Sequence, residues 1–219
     1  MDGAISQIIE RDGRRFTFLR GYAEASSAEI ESVLEPVIDM VLALRAPPKG
    51  DYYFAGCGAA ESLFQTPVHD VPEGAVCACG STAEEEQEGW VAYWSSIGLP
   101  PRDNLVLYNL KGINNRVAEV LSQGGSESAA LFIVATGLAH ELYHVKHHQR
   151  MLHTLEGEQE AHAFQRGMID EGATLFGLGP ELKEAWLRQS RATERMVEQE
   201  WRRKHPRWKP SRKPVVPRW

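Results

Sequence analysis

The stretch ATGLAHELYHVKHHQR, residues 135–150, decides how this chain is read. His140 and His144 stand four apart, which on an α-helix puts both imidazoles on one face, about one turn from each other and close enough to hold a single ion. Glu141 lies one residue further round, where its carboxylate reaches a water beside that ion rather than the ion itself. This is the H-E-x-x-H arrangement, in which two neutral imidazoles bind zinc, a carboxylate serves as base and a coordination position stays open. The competing reading is a solvated, histidine-rich helix end. What precedes the motif argues against it: SAALFIVATGLA, residues 128–139, is apolar nearly all round and has to be buried as a central helix. His147 and His148 enrich the run further, but the motif does not need them, and they read as surface or supporting residues.

Working outward, Ser126 is placed to cap that helix and Glu127 to sit at the positive end of its dipole. NLVLYNL, residues 104–110, is short and β-prone and predicts a strand, and NNRVAEVLSQ predicts a helix stopped by Gly124-Gly125. Two more helices are expected at about 155–171 and 180–204, the second with Pro180 in its first turn. Near the N-terminus, ISQIIERDGRRFTFLRG reads as a hairpin turning at Asp12-Gly13. The apolar stripe of SSAEIESVLEPVIDMVLALR predicts a helix with Ser27 as cap and Pro36 as a kink. Residues 50–104 show no sustained period. The pattern as a whole predicts an α+β fold with a small twisted β-sheet, in one domain over residues 1–201.

The composition, 42% hydrophobic and 25% charged over 219 residues, suits one globular domain. No apolar run is long enough to span a bilayer, and MDGAISQIIERDGRR lacks the features of a signal peptide, so the expected location is cytoplasmic. The net charge of −6 conceals an asymmetry. Residues 202–219, RRKHPRWKPSRKPVVPRW, hold eight Lys or Arg and no acid; setting them aside leaves 16 basic against 30 acidic residues, a charge of −14. Such a body disfavours nucleic acid, and the basic, proline-interrupted segment reads as an extended C-terminal arm that docks on the body or on a protein partner.

Catalytic zinc takes three protein ligands, so the motif needs one more. A third histidine six residues beyond His144 is excluded, because Arg150 stands there. The next helical segment, LEGEQEAHAFQRG, offers Glu156, Glu158, Glu160 and His162. HELYH followed by EQEAHAF resembles the gluzincin-type HExxH zinc metallopeptidases, closest in motif to the ImmA/IrrE-like family, over residues 135–165. The resemblance implies a zincin-like domain with a central HExxH active-site helix, and it implies Glu158 as the third zinc ligand beside His140 and His144. The interval from His144 to Glu158 is shorter than that family usually has, which keeps Glu160 as a reserve ligand. His162 replaces an acidic or amide residue of the family motif, as either a supporting residue or a further metal ligand.

The resemblance further implies a zinc peptidase acting on a protein or peptide substrate, with Glu141 as general base and an edge strand lining the cleft. NLVLYNL is the candidate for that strand, an ordinary core strand being the competing reading, and Tyr143, Tyr108 and His162 are candidates to stabilise an oxyanion. The alternative is a zinc-binding protein without proteolytic turnover, acting as an interaction or regulatory module through its basic tail. Cys57, His69, Cys77 and Cys79 offer the donor types of a second zinc site, but the C-x-C spacing is not the usual two-residue gap, and incidental thiols are the simpler reading.

Overall fold

A computed structural model describes residues 5–19, 29–56, 76–79, 105–108, 110–151, 155–204 and 206. The architecture is mixed α+β. Five strands, β1 (Ile5–Arg11), β2 (Arg14–Leu19), β3 (Gly50–Gly56), β4 (Val76–Cys79) and β5 (Leu105–Tyr108), form one sheet in the order β1-β2-β3-β5-β4. The pairs β1–β2 and β5–β4 are antiparallel, whereas β2–β3 and β3–β5 are parallel. The helices are α1 (Glu35–Arg45), α2 (Leu110–Ser122), α3 (Glu127–Met151), α4 (Leu155–Gly172) and α5 (Pro180–Lys204).

The hairpin turns where Asp12-Gly13 predicts it. Both residues have positive φ, 44° and 74°, as a two-residue primed turn requires. Arg14, buried, ties this turn to the segment entering β3: its guanidinium donates to the Pro47 carbonyl and to Asp12 Oδ2, and Gly50 N–H donates to Gly13 O at 3.2 Å. Alternation along the strands puts Phe16, Phe18, Tyr52, Phe54, Val106 and Tyr108 on one buried face. Their rings stack across the ladder, Phe16 on Tyr52 at 5.4 Å and Phe18 on Phe54 at 5.0 Å between centroids.

At Pro36, where a kink is expected, the helix changes type. Pro36 lies in the first turn of α1, and the residues before it, Ile30–Leu34, form a π-helical turn in which Glu35 N–H reaches Ile30 O. Proline has no N–H for the carbonyl one turn back, and the wider turn absorbs the mismatch. The expected Ser27 cap lies outside the described residues.

α3 is the central element, packed against α1, α2, α4, β4 and β5. Ser126 Oγ accepts from Ala129 N–H at 3.1 Å, the expected cap, and Ala129 through Thr136 are all buried. α2 ends where predicted, with Gly124 at φ 81° and Gly125 N–H returning to Val120 O. It begins earlier than predicted, at Leu110, because Ile113, Val117 and Val120 form an apolar stripe that carries the helix through Gly112. α5 continues through Arg202, Arg203 and Lys204, the start of the basic segment, supported by the pairs Glu198–Arg202 and Glu200–Lys204. Proline first interrupts at Pro206; residues 207–219 lie outside the described residues.

Of the two readings of residues 104–110, edge strand of the cleft or ordinary core strand, the sheet order supports the core strand. β5 is paired on both sides, to β3 and β4, and among the described residues the strand at that end of the sheet is β4, which packs beside α3. No helix among the described residues is long and apolar enough to cross a membrane.

Candidate metal centre

His140 and His144 project from the second half of α3 into its contact with α4, and both are buried. Their Nε2 atoms lie 3.1 Å apart. Glu158, in the first turn of α4, meets them from the other helix: Oε1 is 3.4 Å from His144 Nε2 and Oε2 is 3.7 Å from His140 Nε2. Donor atoms that hold a tetrahedral zinc at its usual bond lengths stand about 3.3 Å from one another. Three separations of 3.1, 3.4 and 3.7 Å surround that value, so the donor set fits the ion in chemistry and in spacing. Glu141 is half-buried beside the pair, and His140, Glu141 and His144 bring one donor atom each within 4.8 Å of one another.

Glu160 faces elsewhere. It is buried and accepts a hydrogen bond from the Tyr143 hydroxyl at 2.9 Å. Burial, and then the bond to Glu160, push the Tyr143 phenol well above its usual range, so Tyr143 remains a donor at neutral pH. Tyr108 is fully enclosed in the sheet's aromatic layer, edge-on to Phe18.

His162 follows Glu158 by one turn of α4. It is 6% exposed, and its ring lies against that of His140 with centroids 4.6 Å apart. His140, Glu158 and His162 make a second group whose donor atoms lie within 4.8 Å of one another. His140 Nδ1 and His162 Nδ1 are each buried without a hydrogen-bond partner. Behind this face α5 is fastened to α4 by Arg166–Glu194 at 2.6 Å and by Ser190 Oγ donating to Gln165 at 3.3 Å.

Burial holds the His140 imidazole well below its usual pKa, assisted by the neighbouring His144 and His162. Burial also lowers His162. For His144 burial acts downward too, but the hydrogen bond to Glu158 and the charges of Glu158 and Glu141 outweigh it and raise the pKa. Two of the three imidazoles are therefore biased towards the neutral form that metal binding requires, and the third is biased towards protonation by the carboxylate it faces.

Helical spacing correctly brings His140 and His144 together with Glu141 at their side. Periodicity could not choose among the acidic residues of α4, because the choice depends on how that helix is rotated against α3. His162 lies against His140, within reach of either role expected of it, whereas nothing in the sequence pointed to the Tyr143–Glu160 bond; both contacts cross the same helix pair. The edge strand β4 left only the short apolar run AVCAC as its signal. Of the suggested second zinc site, Cys57 and His69 lie outside the described residues, and Cys77 and Cys79 occupy alternate positions of β4. His147 and His148 fall within α3 near its end. No family model, curated protein or solved structure matches the chain.

Proposed function

We propose that the chain is a zinc-dependent peptidase, a zincin-like domain that hydrolyses a peptide bond in a protein or peptide substrate. The observation that carries this reading is the convergence of His140 Nε2, His144 Nε2 and the Glu158 carboxylate from two packed helices at 3.1–3.7 Å, with Glu141 beside them. His140, His144 and Glu158 hold the ion. When bound, zinc supplies a Lewis acid for the scissile carbonyl and lowers the pKa of a water. Glu141 takes the proton from the attacking water and passes it to the leaving amine. His140, 9% exposed, and His144, 5% exposed, keep bulk water from the donor side of the site. β4 supports a peptide-binding role, since among the described residues it is the sheet edge nearest α3, and an extended backbone adds to such an edge by main-chain hydrogen bonds.

The test is cleavage of a peptide mixture containing all residue pairs, with products read by mass spectrometry. The zinc-loaded wild type is expected to cut, and Glu141→Gln to bind zinc without cutting. Unchanged cleavage by Glu141→Gln sinks the mechanism. A second reading, zinc binding without turnover as an interaction module, is favoured by one observation: His162 offers a further imidazole at the same site, and a fourth protein donor would close the position that catalysis needs.

A further inference from the structure

We propose that the outward face of α5 is a docking surface for an acidic segment of a partner protein. α5 carries none of the proposed metal donors, so this role stands apart from the metal reading.

α5 seats one side on the body: Trp186, Leu187 and Ser190 are buried, Glu194 pairs with Arg166 of α4, and the Trp186 ring receives Arg116 of α2. A helix turns by about 100° per residue, so positions 188, 191, 195 and 202 come round to one row on the outward side. All four are arginine, and all four are exposed. Arg188, Arg195 and Arg202 recur every seventh residue, about 10.5 Å apart along the axis. Among the described residues Arg188 and Arg195 have no ion-pair partner, whereas Glu184 answers Arg191 at 3.8 Å.

Local helix energetics does not account for this row. Like charges three and four positions apart repel, and Arg188, Arg191 and Arg195 stand at those spacings. The helix dipole favours cations in the last turn, which covers Arg202, Arg203 and Lys204 but not the three arginines before them. The end of α5 shows how a solvated helix balances its charge, with Glu198 four positions before Arg202 and Glu200 four before Lys204. Arg188 and Arg195 lack that balance, and their guanidinium forks match carboxylates brought from outside through paired hydrogen bonds.

The row is one chain wide, because Glu198 and Glu200 flank it on either side. A membrane surface or a nucleic-acid duplex, broader than a helix, meets those carboxylates as well as the arginines. A single acidic segment lies between them, and an acidic helix with carboxylates at every seventh residue presents them at the same interval of about 10.5 Å. Charge along the chain favours a short partner too. Residues 186–219 hold 11 Lys or Arg against three acids, and the remaining residues hold 13 against 27. That acidic remainder repels a long polyanion, whereas a short segment within a Debye length of the row, about 8 Å, is governed by the arginines.

Fluorescence anisotropy of a labelled oligoglutamate peptide with the full chain tests this. Binding is expected, weakening as salt rises. Arg188→Gln combined with Arg195→Gln is expected to weaken it by about 10-fold. Arg15→Gln combined with Lys49→Gln, which removes as much exposed charge at the sheet, is expected to leave it unchanged. Absence of salt-dependent binding, or equal weakening by the two pairs, overturns the proposal. Tighter binding of a single-stranded DNA oligonucleotide or of phosphatidylserine vesicles, lost in the Arg188 and Arg195 pair, overturns the choice of a protein partner. An unchanged Tm verifies that the variants fold. If it falls, the wild type decides: the side-chain Nε–H resonances of Arg188 and Arg195 are expected to shift on adding the peptide, and resonances that stay in place overturn the docking surface.

Discussion

The Tyr143 hydroxyl donates to the Glu160 carboxylate at 2.9 Å across the α3–α4 contact, and this bond separates the roles of two glutamates that differ by only two positions in the chain. Glu158 faces the histidines, and Glu160 fastens the helices that carry them.

Tyr143→Phe leaves a buried carboxylate without its donor and is expected to destabilise the fold by about 1–3 kcal/mol. Denaturant unfolding measures this. The same variant, and Glu160→Gln, should still take up zinc, because neither changes a proposed donor. Loss of zinc from Glu160→Gln with zinc retained by Glu158→Gln would exchange the two assignments.

His144→Ala and Glu158→Ala each remove a donor and are expected to weaken zinc by more than about 100-fold, beyond the effect of losing a supporting residue. Chelator competition gives the constants. A small loss in both variants would show that the ion, if bound, sits elsewhere.

Gly172 ends α4 where it crosses α3 and α1, and a Cβ there would overlap Phe132 and Leu44. Phe132 cannot retreat easily, since Phe176 stacks on it at 4.8 Å. Gly172→Ala is expected to cost about 1–3 kcal/mol through overpacking, which lowers Tm by roughly 2–4 °C for each kcal/mol in a chain of this size. Calorimetry checks it, and an unchanged Tm would show that the crossing is looser than described.

Acidification should destabilise the metal-free protein. His140 and His162 titrate below their unfolded value of about 6.5. As pH falls past that value the unfolded chain binds protons that the folded protein refuses, and stability declines. His144, with its raised pKa, opposes this: its contribution is fully present below about pH 6.5 and is lost as pH rises through the folded value. With two histidines against one, Tm after chelation is expected to fall from pH 7.5 to pH 5.5. A rise would mean that the His144–Glu158 pair dominates.

Legibility followed the range of the interactions. The cap at Ser126, the Asp12-Gly13 turn and the start of α5 at Pro180 rest on contacts within a few residues, and local sequence specified them. β4 did not announce itself, because a four-residue strand contains no usable period and its place at the edge is set by pairing with β5, far away in the chain. For the same reason β5 was legible as a strand but not as an interior one. At the site, the i, i+4 relation of His140 and His144 is local. The selection of Glu158 over Glu160, and the placement of His162 against His140, depend on the rotation of α4, which only tertiary packing fixes.

The proposed donors and their partners all lie between residues 140 and 162, on two helices consecutive in the chain. An ion joining them closes a short loop, and short loops cost little entropy to close. The donors therefore need only the α3–α4 contact to meet, whereas β4 takes its place through pairing with β5, far away in the chain. The proposed donors and the end of the sheet beside them are thus divided along the chain: one helical hairpin carries the donors, and the distant segment β4 carries the sheet end.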